Sequence, residues 1–156
     1  MSDNGKDAPG VIAPPPLILL GFLLVGFLID YFWPLNLLPD NVQFPAGGAL
    51  IAAGVMGIVL AVREMLRAGT NIPTHRPSTA IVHSGPYKYS RNPIYLSAAI
   101  AYVGIAIMAD NVWLLLMLKP LLVTLSFGVI DREEKYLEGK FGEDYRNYKA
   151  AVRRWI

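Results

Sequence analysis

Cysteine is absent from the chain, which excludes disulfides, thiolate-bound zinc and thiol nucleophiles. Charge is scarce too. Only 17% of the 156 residues are Asp, Glu, Lys or Arg, and the net charge of +2 is too small a surplus to point to nucleic acid as a partner. There is no P-loop, no GxGxxG turn and no HExxH pair, and no repeat at the periods that mark solenoids or propellers. The two histidines, His75 and His83, stand apart in a polar stretch, where a solvated imidazole is expected instead of a metal ligand. No metal site is expected.

Apolar residues are plentiful, at 54% of the chain with a mean hydropathy of +0.40, and they come in long blocks. Residues 17–33, 44–62, 93–109 and 112–130 are each close to the ~20 residues that carry a helix across a bilayer core. The expected fold is therefore all-α: a polytopic membrane bundle of about four transmembrane helices with a cytoplasmic C-terminal helical tail. The 156 residues are read as one membrane domain, with 1–62 an N-terminal extension and two scaffold helices and 63–156 a core that holds the other two spans and most of the charge. The polar leader 1–10 is not read as a cleavable signal. It sets Lys6 against Asp3 and Asp7, and the first apolar run ends on Asp30 and an interfacial aromatic belt of Tyr31, Phe32 and Trp33. Proline-rich residues 8–16 read as an extended lead-in.

Lys and Arg are missing from residues 34–43 and from the Asp110-Asn111 connection. They gather instead in residues 63–92 and in the stretch after Ile130, which places those segments and both termini in the cytoplasm of a prokaryotic cell with the spans in its inner membrane. Within span two, Ala49, Ala53 and Gly57 recur every four residues, a spacing that lets helix backbones approach closely in lipid. Packing within the chain is the expected use of that face; a contact between copies is the alternative, so homo-oligomerisation stays open. Span four carries Lys119 and Pro120 mid-run: the proline predicts a kink, and the lysine must snorkel, pair or face a polar cavity.

Two segments concentrate chemistry. Gly85-Pro86-Tyr87 leads to Arg91-Asn92-Pro93-Ile94-Tyr95 at the start of span three. Asn92 and Pro93 suit the N-cap and first position of a helix, but the tyrosines and arginine crowding the same junction are not explained by capping. Arg91 beside a helix N-terminus makes an anion site at the bilayer surface. The second segment begins as span four ends: Asp131-Arg132-Glu133-Glu134, then Phe141-Gly142-Glu143-Asp144-Tyr145 and Tyr148. Mixed charge at helical spacing is usually a solvated face, yet carboxylates close to low dielectric and to the cationic start of span three can hold a cationic ligand.

Taken together, Gly85-Pro86-Tyr87, Arg91-Asn92-Pro93-Ile94-Tyr95, a transmembrane hairpin, Glu133-Glu134, Phe141-Gly142, Tyr145, Tyr148 and Val152 resemble the isoprenylcysteine carboxyl methyltransferase and phospholipid methyltransferase family of integral membrane enzymes. The resemblance runs from about Gly69 to the C-terminus. It implies S-adenosylmethionine as methyl donor and a lipid or lipophilic small molecule, arriving from the bilayer, as acceptor through a carboxyl or an amine. By motif position it implies a cofactor pocket of Ile81, Val82, Tyr87, Asn92, Pro93, Tyr95 and Glu134; Arg91, Glu133 and Glu134, whose charges suit the donor's carboxylate and cationic groups, are expected to carry the reaction. The chain departs from the isoprenylcysteine branch in two places. Asn92 stands where that branch has His, and Ile130 where it has an Arg expected to hold the acceptor's carboxylate; Arg132 points about 200° away from residue 130 on a regular helix. A non-enzymatic membrane scaffold or lipid-binding subunit with the same fold is the alternative.

Overall fold

The computed structural model describes residues 8–36, 38–72 and 76–156; His75 and the charged leader residues lie outside them. Among the described residues all regular structure is helical. Helix α1 (Pro15–Phe32) starts on prolines, whose missing N–H costs nothing in a first turn. It is followed by α2 (Asp40–Arg67), α3 (Pro93–Met108) and α4 (Val112–Leu125). A five-residue π turn (Ser126–Ile130) leads without a break into α5 (Asp131–Phe141), and α6 (Glu143–Ala151) follows after Gly142. Three of these helices are long and apolar enough to cross a membrane: α1, α2 and the continuous Val112–Phe141. Its apolar crossing part ends at Ile130. The 16-residue α3 is shorter, about 24 Å, but is flanked by α2 and α4 and so need not match the bilayer on its own. Leu17, Leu24, Leu28, Val55, Met56, Val59, Leu116 and Phe127 stay exposed along the long helices, the surface that lipid chains cover.

The helices associate as α1 with α4 and α2 with α3, joined where α3 meets α4. The core is Tyr102, Ala106, Leu114, Leu121, Leu125 and Val129, with Ile18, Leu19, Phe22 and Leu23 of α1 packed on it. Between α2 and α3 the backbones nearly touch: a Cβ on Gly54 would stand 2.6 Å from the Ser97 carbonyl oxygen, and one on Gly47 would stand 2.8 Å from that of Gly104. Close approach of this kind is how helices gain packing energy in lipid, where no hydrophobic effect drives them together. The small-residue face thus works within the chain, but through Gly47, Gly54 and Gly57; Ala49 and Ala53 face outward.

One local expectation, the Asn92 cap, needs correction, and one feature, the π turn, was not expected. Helix α4 continues through Pro120, and a turn and a half later it passes into the π turn. There the Gly128 carbonyl accepts from Ile12 N–H (3.2 Å), and Arg132 Nη1 donates to Gly10 O (2.8 Å), which pins the lead-in segment along the helix. Asn92 occupies the N-cap position of α3, but its side chain makes no capping bond. The working cap is Asn111, whose side chain accepts from Leu114 N–H (2.9 Å) at the start of α4.

Candidate functional site

The site forms where α3 begins and α4 has ended. Residues 68–72 and 76–92 fold over that end of the bundle, held by Thr79 N–H on Thr70 Oγ1 (3.1 Å), Asn71 Nδ2 on Pro77 O (2.8 Å) and Ser78 N–H on the Tyr136 hydroxyl (3.2 Å). Gly85 turns the chain at a φ of 58°, and a Cβ there would meet Glu64 Cγ at 2.7 Å. Glu64 in turn accepts from the Ser84 hydroxyl. Pro86 then opens a short 3-10 turn (Gly85–Lys88) that buries Tyr87 against Ala61 and Val82.

A cavity of about 140 Å³ lies between this loop, the first turn of α3, α5 and α6. Every residue expected at the site lines it: Ile81, Val82, Tyr87, Arg91, Asn92, Pro93, Tyr95, Glu133 and Glu134. Residues that the site reading omitted also contribute, among them Met65, Thr70, Ile94, Leu137, Tyr145 and Tyr148. The two tyrosines are spaced i, i+3 on α6, so they share a face; that spacing was the available signal. His83 is exposed, and its ring meets Tyr148 edge-on at 4.8 Å.

Glu134 is buried, at 5% exposure. Arg91 Nη2 lies 3.3 Å from its Oε1, and Arg154, from the segment after α6, donates Nε to Oε1 (3.0 Å) and Nη2 to Oε2 (2.7 Å). Arg91 itself is nearly enclosed, and its Nε and Nη1 find no partner among the described residues. Unsatisfied donors on a buried guanidinium are costly; the Tyr145 phenol lies beside this one, and an anion in the cavity would satisfy the rest. Glu133 accepts from the Tyr95 hydroxyl (2.8 Å). Burial pushes the Tyr145 phenol up to about 12, with Glu134 adding to the rise and Arg91 opposing it; burial raises Tyr87 and Tyr148 as well. These phenols therefore remain protonated donors, as Tyr148 is to the Tyr87 carbonyl (2.8 Å). Asn92 Nδ2 donates to the Arg154 carbonyl (3.1 Å), so Asn92 ties the following segment to the site while forming part of its wall. Arg132 is exposed and turned to Gly10, away from the cavity.

The model of the phospholipid methyltransferase family matches residues 42–144, two thirds of the chain. The chain belongs to the phospholipid methyltransferase family. It is thus a member of a family of membrane methyltransferases, and the matched region takes in α2 along with the loop, α3, α4 and α5. Tyr148 and Arg154 lie beyond it. Among curated proteins, the chain is 30% identical over 105 residues to the nickel-cobalt-cadmium resistance protein NccN of Alcaligenes xylosoxydans xylosoxydans, covering 66% of this chain and 49% of that one. It is 67% identical over 27 residues to an uncharacterized protein of Haemophilus influenzae, covering 17% of this chain and 43% of that one. The chain thus spans just under half the length of these curated relatives. No solved structure matches it.

Proposed function

We propose that this member of the phospholipid methyltransferase family transfers the methyl group of S-adenosylmethionine to a lipophilic acceptor, a lipid or small molecule with an amine or carboxyl group, that reaches the cavity from the bilayer. The observation that carries the reading is the buried Arg91 guanidinium, two of whose nitrogens have no partner among the described residues, in a cavity whose other walls are the acidic Glu133-Glu134 pair and several tyrosines. S-Adenosylmethionine has an anionic carboxylate, a cationic ammonium and sulfonium and a flat adenine, and this donor set fits it. When bound, it supplies an electrophilic methyl group.

The chain's own residues then have separate tasks. Arg91, with Nη2 on Glu134, offers the carboxylate its Nε and Nη1 donors. Glu134 faces the ammonium. Ile81, Val82, Tyr87, Pro93 and Tyr95 supply the apolar and aromatic walls that exclude water and fix orientation, which is most of what a direct displacement asks of a protein. Glu133, bonded to a neutral hydroxyl and open to the cavity, takes the proton that a protonated amine acceptor must lose before its lone pair can attack. A carboxylate acceptor would make no such demand.

Calorimetric titration of the purified protein with S-adenosylmethionine or its demethylated product tests the reading. Saturable binding is expected, with Arg91→Ala weakening it by roughly tenfold to a hundredfold, the equivalent of about 1.5–3 kcal/mol for a charge-assisted bond. Absence of binding in the unmodified protein would favour the scaffold alternative.

We place the cavity and both termini on the cytoplasmic side of a prokaryotic inner membrane. The basic residues of 63–92 and of the segments after Ile130 gather at the cavity end, and the lead-in segment docks there too, through Gly10 and Ile12. Cysteines introduced at Asn41 and Ser78 should label from opposite sides of intact cells; labelling from the same side would overturn this orientation.

A further inference from the structure

The segment 152–156 runs beside the Ser90–Asn92 junction and is held to it through main-chain carbonyls. Arg91 N–H donates to Arg153 O (3.0 Å), and Ser90 Oγ and Asn92 Nδ2 donate to Arg154 O (3.3 and 3.1 Å). Any residue types at 153 and 154 satisfy those bonds. What is chemically specified is the Arg154 side chain. It meets both oxygens of Glu134, and its Nη2 also lies 2.7 Å from Asp131 Oδ1.

Arg91 and Glu134 line the cavity, whereas Arg154 does not. It approaches the carboxylate from behind. We infer that Arg154 is a positioning residue that, by occupying Glu134 from outside the cavity, keeps the free donors of Arg91 available to the carboxylate end of the cofactor.

The argument is one of charge and reach. A carboxylate as enclosed as Glu134 needs strong partners, and Arg154 supplies a two-point fork where Arg91 supplies one nitrogen at 3.3 Å. Without Arg154, Glu134 retains Arg91 as its one remaining cationic neighbour among these contacts, already near enough to close a fork of its own. Closing it draws Arg91 nitrogens onto Glu134 and away from the anion they await. Loss of Arg154 therefore weakens recognition of the amino-acid end of the ligand and leaves recognition of its nucleoside end intact. The inference rests on the cofactor reading of the cavity.

The test compares two ligands by calorimetry in one detergent: S-adenosylhomocysteine, which carries the carboxylate and ammonium, and 5′-methylthioadenosine, which lacks both. Arg154→Ala is expected to weaken the first on the order of tenfold and the second less than about twofold, with Arg154→Lys recovering part of the loss because an ammonium gives a single point of contact. Some fall in melting temperature is expected, because a buried carboxylate loses a two-point partner; it is the difference between the two ligands that reads the inference. If Arg154→Ala does not fold, Arg154→Gln is read in its place and should show the same difference between ligands. Arg146→Ala, an exposed change on α6, should affect neither ligand. Equal weakening of both ligands would mean that the segment only supports the fold, and no weakening would mean that Arg91 does not depend on Arg154; either result overturns the inference. Failure of the unmodified protein to bind either ligand would overturn the cofactor reading itself, which separates the two failures.

Discussion

Glu134 and Glu143 lie in one charged stretch, each followed within three residues by a basic side chain, yet the structure treats them oppositely. The Glu134 side chain is 6% exposed and shared between two guanidiniums; that of Glu143 is 75% exposed and makes an i, i+3 pair with Arg146 (2.8 Å). The difference lies in what packs against each. The first turn of α5 meets the start of α3 and the segment after α6, so Glu134 is withdrawn from water and must find cationic partners. Glu143 opens α6 at the surface, where water and the helix dipole already satisfy a carboxylate and the ion pair adds little. One stretch of sequence thus contains a candidate site and a solvated face.

The comparison can be sharpened by neutralising each carboxylate in turn. The largest effect is expected at Glu133. If the acceptor is an amine, Glu133→Gln removes the group that takes its proton and should lower turnover by about a hundredfold or more, with cofactor affinity largely kept. Unchanged turnover would exclude a proton-accepting role and favour a carboxylate acceptor. Next comes Glu134→Gln, which loses charge-assisted bonds at the cofactor end and should weaken cofactor binding by roughly tenfold to a hundredfold, against no measurable change for Glu143→Gln. Small and equal effects at 134 and 143 would erase the distinction and return both residues to the solvated face.

Much of this arrangement was legible in the sequence because it is carried by contiguous pattern. The four apolar runs became the four helices that build the bundle, and every residue placed at the site by motif position lines one cavity. What was not legible depends on phase or on distant contact. A regular 3.6-residue repeat through Leu121 and Leu125 arrives near residues 128–129 and then at Arg132. The π turn adds a residue to that phase, so Arg132 turns outward while Ile130 and Glu134 turn in. A regular helix already sets residues 130 and 134 on one face and 132 on the other; what it does not foresee is which of those faces continues the buried side of Leu121 and Leu125. Asn92 looked like a cap because Asn-Pro is a sound helix start, but its amide was drawn to the Arg154 carbonyl, a contact across 62 residues of sequence. Of the small-residue face read in α2, Gly57 does meet α3, whereas Ala49 and Ala53 have the spacing but stay exposed, and Gly47 and Gly54 make the other close approaches.

The smallest expected effect falls at the outer edge of the same stretch, where Glu138 accepts Lys149 Nζ (3.2 Å) and lies 3.3 Å from Arg146 Nε. These bonds join α5 to α6, which on a contact diagram gives them the look of a clamp holding Tyr145 and Tyr148 in the cavity wall. Their exposure argues otherwise. The side chains of Glu138, Lys149 and Arg146 are 36%, 41% and 58% exposed, so water competes for each charge, salt screens the attraction, and ordering two long side chains offsets much of what remains. The buried phenols already have their own anchor in the Tyr148 hydroxyl bond to Tyr87 O. Lys149→Ala should therefore leave the melting temperature unchanged within error at both low and high salt, and leave cofactor affinity as it was. A salt-dependent fall in melting temperature, or weaker binding in Lys149→Ala, would show that the outer charges help to set the cavity and that the boundary between site and solvated face lies further along α5 than Glu134.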